Sequence, residues 1–378
     1  MLSDLQSQSL AQIFDADGVL VSEADRTHYG QDWSRFIAPD PSAIVFPKEV
    51  SQLKALVAFA RAEQIGLVPS GGRTGLSGGA TAARGEVVVS FERMNRVLDF
   101  DEASRLVLVE PGVITQQLQQ FSMDQGHYYP VDFASSGSSH IGGNIATNAG
   151  GIKVLRYGLT REWVAGLEVV TGNGDHLSLN HGLVKNATGI DQRHLFVGSE
   201  GILGFTSAAW MKLTEAPQPL RVMLLAVPSM RIALSVLAEC QRHLNLTAFE
   251  FFSREALMQV RNHLSLAAPL SDAPFYVLCE FEQIKGADAG LNDAADIFAK
   301  LSEKSWVSDG VIAQSDRENQ SLWRYREGIS EAITPRTPYK HDLSVRISRA
   351  PEFLEAVEST LKIAALPFEI IWFGHIGD

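Results

Sequence analysis

The amino-acid sequence predicts an α+β protein of two domains, residues 1–217 and 218–378, on three observations. The 378 residues suffice for two domains of ordinary size. Short apolar, β-branched runs alternate with segments of helical periodicity. Between them, APQP (Ala216–Pro219) breaks the pattern and marks a boundary.

Along the chain, residues 1–30 predict a short helix and a loop. AIVFP (Ala43–Pro47) predicts a strand whose proline opens a helix. Val50, Leu53, Leu56, Val57 and Ala60 then recur at helical spacing. LVPS (Leu67–Ser70), VVVSF (Val87–Phe91) and LVLVEPG (Leu106–Gly112) predict strands by β-branching and punctuation. Val113–Gln125 predicts a helix, and Gly166–Leu179 a hairpin turning at Gly172–Asp175. Past the boundary come a strand in VMLLAVP, a helix over Ser229–Leu244 capped by Ser229, and strands in LTAFEFF and FYVLCEFE. Helices over Ala287–Ser302, Ser321–Ile333 and Pro351–Ala364 alternate with strands in DLSVRIS and FEIIWF. That order suits an antiparallel sheet with helices on one face.

Composition narrows the function classes. Apolar residues are 45% and charged residues 20%, a globular balance, and the net charge of −12 argues against a nucleic-acid partner. Cys240 and Cys279 are far apart with no CxxC, which excludes a disulfide framework and fits a reducing cytoplasm. The N-terminus, MLSDLQSQSLAQIF, lacks a basic region followed by an apolar core, and no apolar run approaches transmembrane length. Cytoplasmic residence is expected, with peripheral attachment to an inner membrane as the variant.

Chemistry concentrates in three glycine clusters. Residues 132–158 (DFASSGSSHIGGNIATNAGGIKVLRYG) interleave Gly, Ser, Thr and Asn with Ile141, Ile145, Ala146 and Ala149. This suggests a buried, tightly turning backbone that a large polar ligand can approach, because glycine permits positive φ and consecutive N–H groups form anion nests. Plain structural turns are the alternative. Upstream, residues 67–80 (LVPSGGRTGLSGGA) contain no GxxxxGK[ST] and no GxGxxG, which excludes a P-loop and the dinucleotide fingerprint. Backbone N–H groups with Ser70, Thr74, Ser77 and Arg73 could still hold a pyrophosphate. The third cluster, VGSEGILGF (Val197–Phe205), is weak alone.

The three clusters in this order resemble the vanillyl-alcohol oxidase / p-cresol methylhydroxylase flavoproteins, and within them the D-2-hydroxy-acid dehydrogenase branch. WRYREGISEAI (Trp323–Ile333), YKHDLSV (Tyr339–Val345) and WFGHIGD (Trp372–Asp378) follow in the branch's order, and the resemblance runs from about Tyr29 to the last residue. TAFEFFS, VPSGGRTGLS and YYPVDFASSGSS are most similar to bacterial members acting on D-2-hydroxyglutarate. The resemblance implies a two-subdomain PCMH-type FAD-binding domain followed by an antiparallel-sheet substrate (cap) domain.

It also implies site residues. Pro69, Ser70, Gly71, Gly72, Arg73, Thr74, Gly75, Leu76, Ser77 and Gly78 would wrap the FAD pyrophosphate. Pro130, Asp132, Ser135, Ser136, Gly137, Ser138, Ser139, Gly142, Gly143, Asn144, Thr147, Asn148, Gly150, Gly151, Tyr157 and Gly158 would line its isoalloxazine and ribityl side. Glu200, Gly201 and Gly204 would sit near ribose and adenine. No His occupies the first glycine motif, where some relatives link flavin covalently, and His140 departs from the usual residues at its place, so non-covalent FAD is expected.

Arg326 and Ser330 are four apart on an expected helix face, and Lys340 opens an expected strand. Spacing alone favours an ordinary solvated face, with Glu327 or Glu331 pairing Arg326. The resemblance reverses this and carries substrate-carboxylate contacts to Arg326, Ser330 and Lys340. His375 matches the first ligand of a divalent metal, usually zinc. The second His, seven positions on, and a later Glu–His pair with the base would lie beyond Asp378, so the catalytic residue is unassigned and the chain is expected to be a piece of a longer protein.

The implied reaction oxidises D-2-hydroxyglutarate to 2-oxoglutarate by hydride transfer to flavin N5, and electrons then pass to electron-transfer flavoprotein or a quinone. The rivals are the same chemistry on D-lactate or glycolate, and a flavin-binding module without turnover. A homodimer is compatible with all of them.

Overall fold

The computed structural model describes every residue except Met1, Ala16, Arg35 and residues 284–288. It divides into two compact units: Met1–Gly151 with Gly158–Ala216, and Ile152–Tyr157 with Pro217–Asp378.

The first unit contains two sheets. Strands β1 (Val19–Leu20), β2 (Ala43–Val45), β3 (Leu67–Ser70) and β4 (Val87–Ser90) form a sheet of order β1-β2-β4-β3. The pairings of β4 with β2 and β3 are parallel, as the crossover helix Val50–Glu63 requires. That helix buries Leu53, Leu56, Val57 and Ala60, the expected periodic face. Strands β5 (Val97–Asp101), β6 (Leu106–Val109), β7 (Val164–Thr171), β8 (His176–Leu179) and β9 (Gly204–Lys212) form an antiparallel sheet of order β5-β6-β9-β7-β8. The expected hairpin is β7–β8, paired from Leu167↔Leu179 to Val170↔His176. Its core also takes in Leu118 of helix Thr115–Asp124 and Ile141 and Ile145 of helix Ile141–Thr147. The last helix forms inside the second glycine cluster, where turning backbone was expected.

The second unit is built on β10 (Leu220–Val227), β11 (Leu246–Ser253), β12 (Phe275–Glu282), β13 (Asp309–Ile312) and β14 (Phe373–His375), antiparallel throughout, in the order β13-β10-β12-β11-β14. Helices cover both faces, not one as expected. Met223, Leu225, Phe249, Cys279 and Phe281 meet helices Met230–His243, Ala289–Glu303 and Ala350–Ile363. Val222, Leu224, Ala248, Phe252 and Leu278 meet helices Arg254–Leu264, Asp316–Glu327 and Ile329–Ile333. Burial of each such large side chain contributes about 1.5–3 kcal/mol.

Three further expectations change, and one lies partly outside the described residues. The start of the expected helix at Ala287 lies outside the described residues, and helix is present from Ala289 to Glu303. Ser321–Ile333 is two helices, because the chain breaks at Gly328. DLSVRIS forms no strand: no described strand edge pairs with it, and Leu343 and Val345 stay exposed. FEIIWF is strand only at its last residue, Phe373. Ser253, the last residue of β11, donates its N–H to the Trp372 carbonyl at 2.8 Å, so the residues before Trp372 run past the partner strand.

Candidate functional site

In the first unit the first and third glycine clusters meet the part of the second that ends at Gly151. The first begins at the carboxyl end of β3, where loops of parallel sheets hold ligands. A Cβ at Gly72 would collide with the Ser138 carbonyl, and one at Gly71 would stand 3.3 Å from His140 Cβ, which brings the first two clusters together. Gly201, at φ +80°, packs on Pro69 so closely that a Cβ would strike its ring. Gly198 and Glu200 donate their N–H groups to the Ile145 and Ala146 carbonyls at 3.0 and 2.8 Å, joining the third cluster to the helix of the second.

This arrangement fits a large anionic cofactor. Among the described residues, no backbone N–H from Gly72 to Ser77 finds an acceptor in the chain. Among those same described residues, the Ser70 hydroxyl and His140 Nδ1 are buried without hydrogen-bond partners. Such groups cost about 1–3 kcal/mol each when left unpaired, so a polar ligand here is the physical expectation. Burial depresses the His140 pKa below its ordinary value. Behind the loop, buried Thr115 receives the Asn144 amide at 2.7 Å and bonds Ser139 Oγ at 2.8 Å, tying both candidates to a helix. Asn148 takes a left-handed φ of 49° and accepts the Arg161 N–H at 3.0 Å.

Arg73 is engaged by Glu92 at 2.8 Å and lies over the Tyr29 ring. Tyr157 belongs to the second unit. One residue was missed: buried Asp32 accepts the Gly78 N–H at 2.7 Å and the Ser34 N–H at 2.9 Å, pinning the end of the first loop.

In the second unit the substrate candidates fall into two groups. Lys340 Nζ donates to Ser330 Oγ at 3.0 Å, both exposed. Arg326 instead turns to Glu250 on β11, placing Nε and Nη2 each 2.9 Å from Oε2. Glu331 lies 3.4 Å from His263. The other oxygen of Glu250, Oε1, lies 2.6 Å from His375 Nδ1. That contact raises the His375 pKa above its ordinary value. Glu250 and His375 face each other in register across β11 and β14.

Beside them, buried Glu280 on β12 binds Lys153, Thr247 and the Trp323 indole N–H, the last at 3.0 Å. Sequence reasoning passed over Glu250, Glu280 and Lys153. A signal for Glu250 existed, since it is the only charge in the apolar run LTAFEFF. For a metal, His375 has only a carboxylate neighbour on Nδ1, and no group of three His, Cys, Asp or Glu suited to an ion exists among the described residues. The residues present do not make a metal site.

Residues 41–180 match the family model of the FAD binding domain, and residues 216–378 that of the C-terminal domain of FAD linked oxidases. Fold and site thus define a flavoprotein oxidoreductase. The chain is 52% identical over 363 residues to D-2-hydroxyglutarate dehydrogenase of Stutzerimonas stutzeri, covering 96% of this chain and 78% of that protein. It is 49% identical over 377 residues to the Xanthomonas citri pv. viticola protein of that name, covering 100% and 79%. The mitochondrial protein of that name from Bos taurus is 34% identical over 353 residues, 92% of this chain and 64% of that one. The chain belongs to the D-2-hydroxyglutarate dehydrogenase family of FAD-linked oxidases. Solved structures of alkyldihydroxyacetonephosphate synthase (TM-score 0.69, 20% identical, 87% of this chain and 64% of that) and substrate-bound p-cresol methylhydroxylase (0.65, 15%, 86% and 68%) share its fold.

Proposed function

We propose that the protein oxidises D-2-hydroxyglutarate to 2-oxoglutarate with FAD held non-covalently by the three glycine clusters. The observation that carries this reading is the pair of separate cationic groups, Arg326 on Glu250 and Lys340 on Ser330. A 2-hydroxydicarboxylate presents two anions, and each charge-assisted contact is worth about 1.5–3 kcal/mol. Arg326 offers a planar fork to one carboxylate and Lys340 a point charge to the other.

Oxidation breaks the C2–H bond with its electron pair and releases the hydroxyl proton to solvent. The chemistry that FAD would supply there, when bound, is acceptance of that hydride at N5. Ser70, His140 and the N–H groups of residues 72–77 would hold and orient the cofactor. Of the zinc site implied by resemblance, His375 is the one candidate ligand among the described residues. Electron-transfer flavoprotein or a quinone is the proposed onward acceptor, and the cytoplasm the proposed compartment. No helix among the described residues is long and apolar enough to cross a membrane.

The test is a parallel substrate panel. D-2-hydroxyglutarate should exceed D-lactate and glycolate in kcat/KM by about 10- to 100-fold, the worth of one charged contact. The substitution Lys340→Met should erase most of that preference. Equal turnover of D-lactate, unaltered by Lys340→Met, would move the assignment to a monocarboxylate.

A further inference from the structure

Glu250 is 1% exposed in the strand run Ala248–Phe252, where an unpaired carboxylate would cost several kcal/mol. It is fully engaged: Oε2 takes Nε and Nη2 of Arg326, and Oε1 takes Nδ1 of His375. An apolar side chain would fill this core position as well or better for stability alone. Its two partners belong to different elements, helix Asp316–Glu327 and β14, and the Arg326 side chain is 11% exposed while that of His375 is 41% exposed. The carboxylate therefore links the core to two side chains that reach towards solvent.

The geometry points to Glu250 as a positioning residue for the substrate anion, an inference that rests on Arg326 being a substrate contact. A guanidinium carries five N–H donors in a fixed fork. Glu250 occupies its Nε/Nη2 edge, and among the described residues Nη1 has no hydrogen-bond partner. The Phe373 ring, 5.2 Å from the guanidinium carbon, supports the flat side of the fork. The free edge is thereby held at one angle before an anion arrives, which removes rotamer entropy from the cost of binding. The same carboxylate accepts the Nδ1 proton of His375, which leaves Nε2 as the outward nitrogen.

The experiment is a double-mutant cycle on the FAD-loaded full chain, reading the Kd of D-2-hydroxyglutarate by calorimetry, with flavin content and thermal midpoint as controls. Glu250→Gln and Arg326→Met should each raise Kd about 10- to 100-fold, as expected for a misplaced or lost anion contact. The double variant should be no worse than Arg326→Met, because Glu250 acts through that side chain. A role confined to stability would lower the midpoint and leave Kd additive. If Arg326→Met weakens binding while Glu250→Gln does not, or if the two losses add, the positioning role is overturned and the reading of Arg326 stands. If Arg326→Met changes nothing, the substrate reading itself falls. Should Glu250→Gln fail to fold, Glu250→Leu with Arg326→Leu, which removes both charges, is compared with Arg326→Leu. Equal affinity supports the proposal, and a further loss overturns it.

Discussion

At Gly72 any side chain meets the Ser138 carbonyl, so Gly72→Ala should leave folded protein with little flavin, read from visible absorbance at equal protein concentration. Full flavin content in that variant would show that the two clusters can separate without cost. These glycines were legible because a missing Cβ is itself written in the sequence. Asp32 and Glu250 were not, because their partners lie 46 to 125 residues away and only the fold brings them together. His140 carries a pH prediction. Its pKa is depressed by burial below the ordinary 6.5. The unfolded chain therefore takes the proton first as pH falls, and stability present above about pH 6.5 declines below it. His140→Asn should flatten this decline, so between about pH 7.5 and 5 the thermal midpoint should fall further in the wild type than in the variant. Parallel curves would contradict the assignment.

Elements were legible where periodicity and caps coincide. Ser229 accepts the Ile232 N–H at 3.3 Å and starts its helix where the sequence placed it. Helix Arg254–Leu264 was missed because its cap, Ser253, is also the last residue of β11, so no loop announces it. The two covered faces were misjudged although VMLLAV and YVLC place apolar residues at consecutive positions, the mark of a strand buried on both sides. Helix Asp316–Glu327 is keyed to the sheet by Trp323 on Glu280 and Arg326 on Glu250. Lys153→Met leaves the Glu280 charge buried with only neutral donors, and removing one partner of a buried pair costs about 3–5 kcal/mol. Denaturant unfolding should show that loss, and Lys153→Met with Glu280→Gln should recover part of it. A loss under about 1 kcal/mol, the surface value, would mean that solvent reaches the pair.

For the molecule as a whole, α+β character, antiparallel pairing in the second unit and the flavoprotein family were readable from three ordered clusters and the motifs after them. The assignment of Ile152–Tyr157 to the second unit was not, because Lys153 finds Glu280 127 residues later and Leu155 packs on a core assembled from that half of the sequence. The proposed reaction draws on two groups of residues, a cradle for FAD and a pair of cationic contacts for a dicarboxylate. Its most direct test is the visible spectrum of the FAD-loaded protein, recorded anaerobically before and after D-2-hydroxyglutarate is added. Flavin bands should bleach with D-2-hydroxyglutarate and much less with D-lactate at equal concentration. Bands that persist with D-2-hydroxyglutarate while another 2-hydroxy acid bleaches them would contradict it.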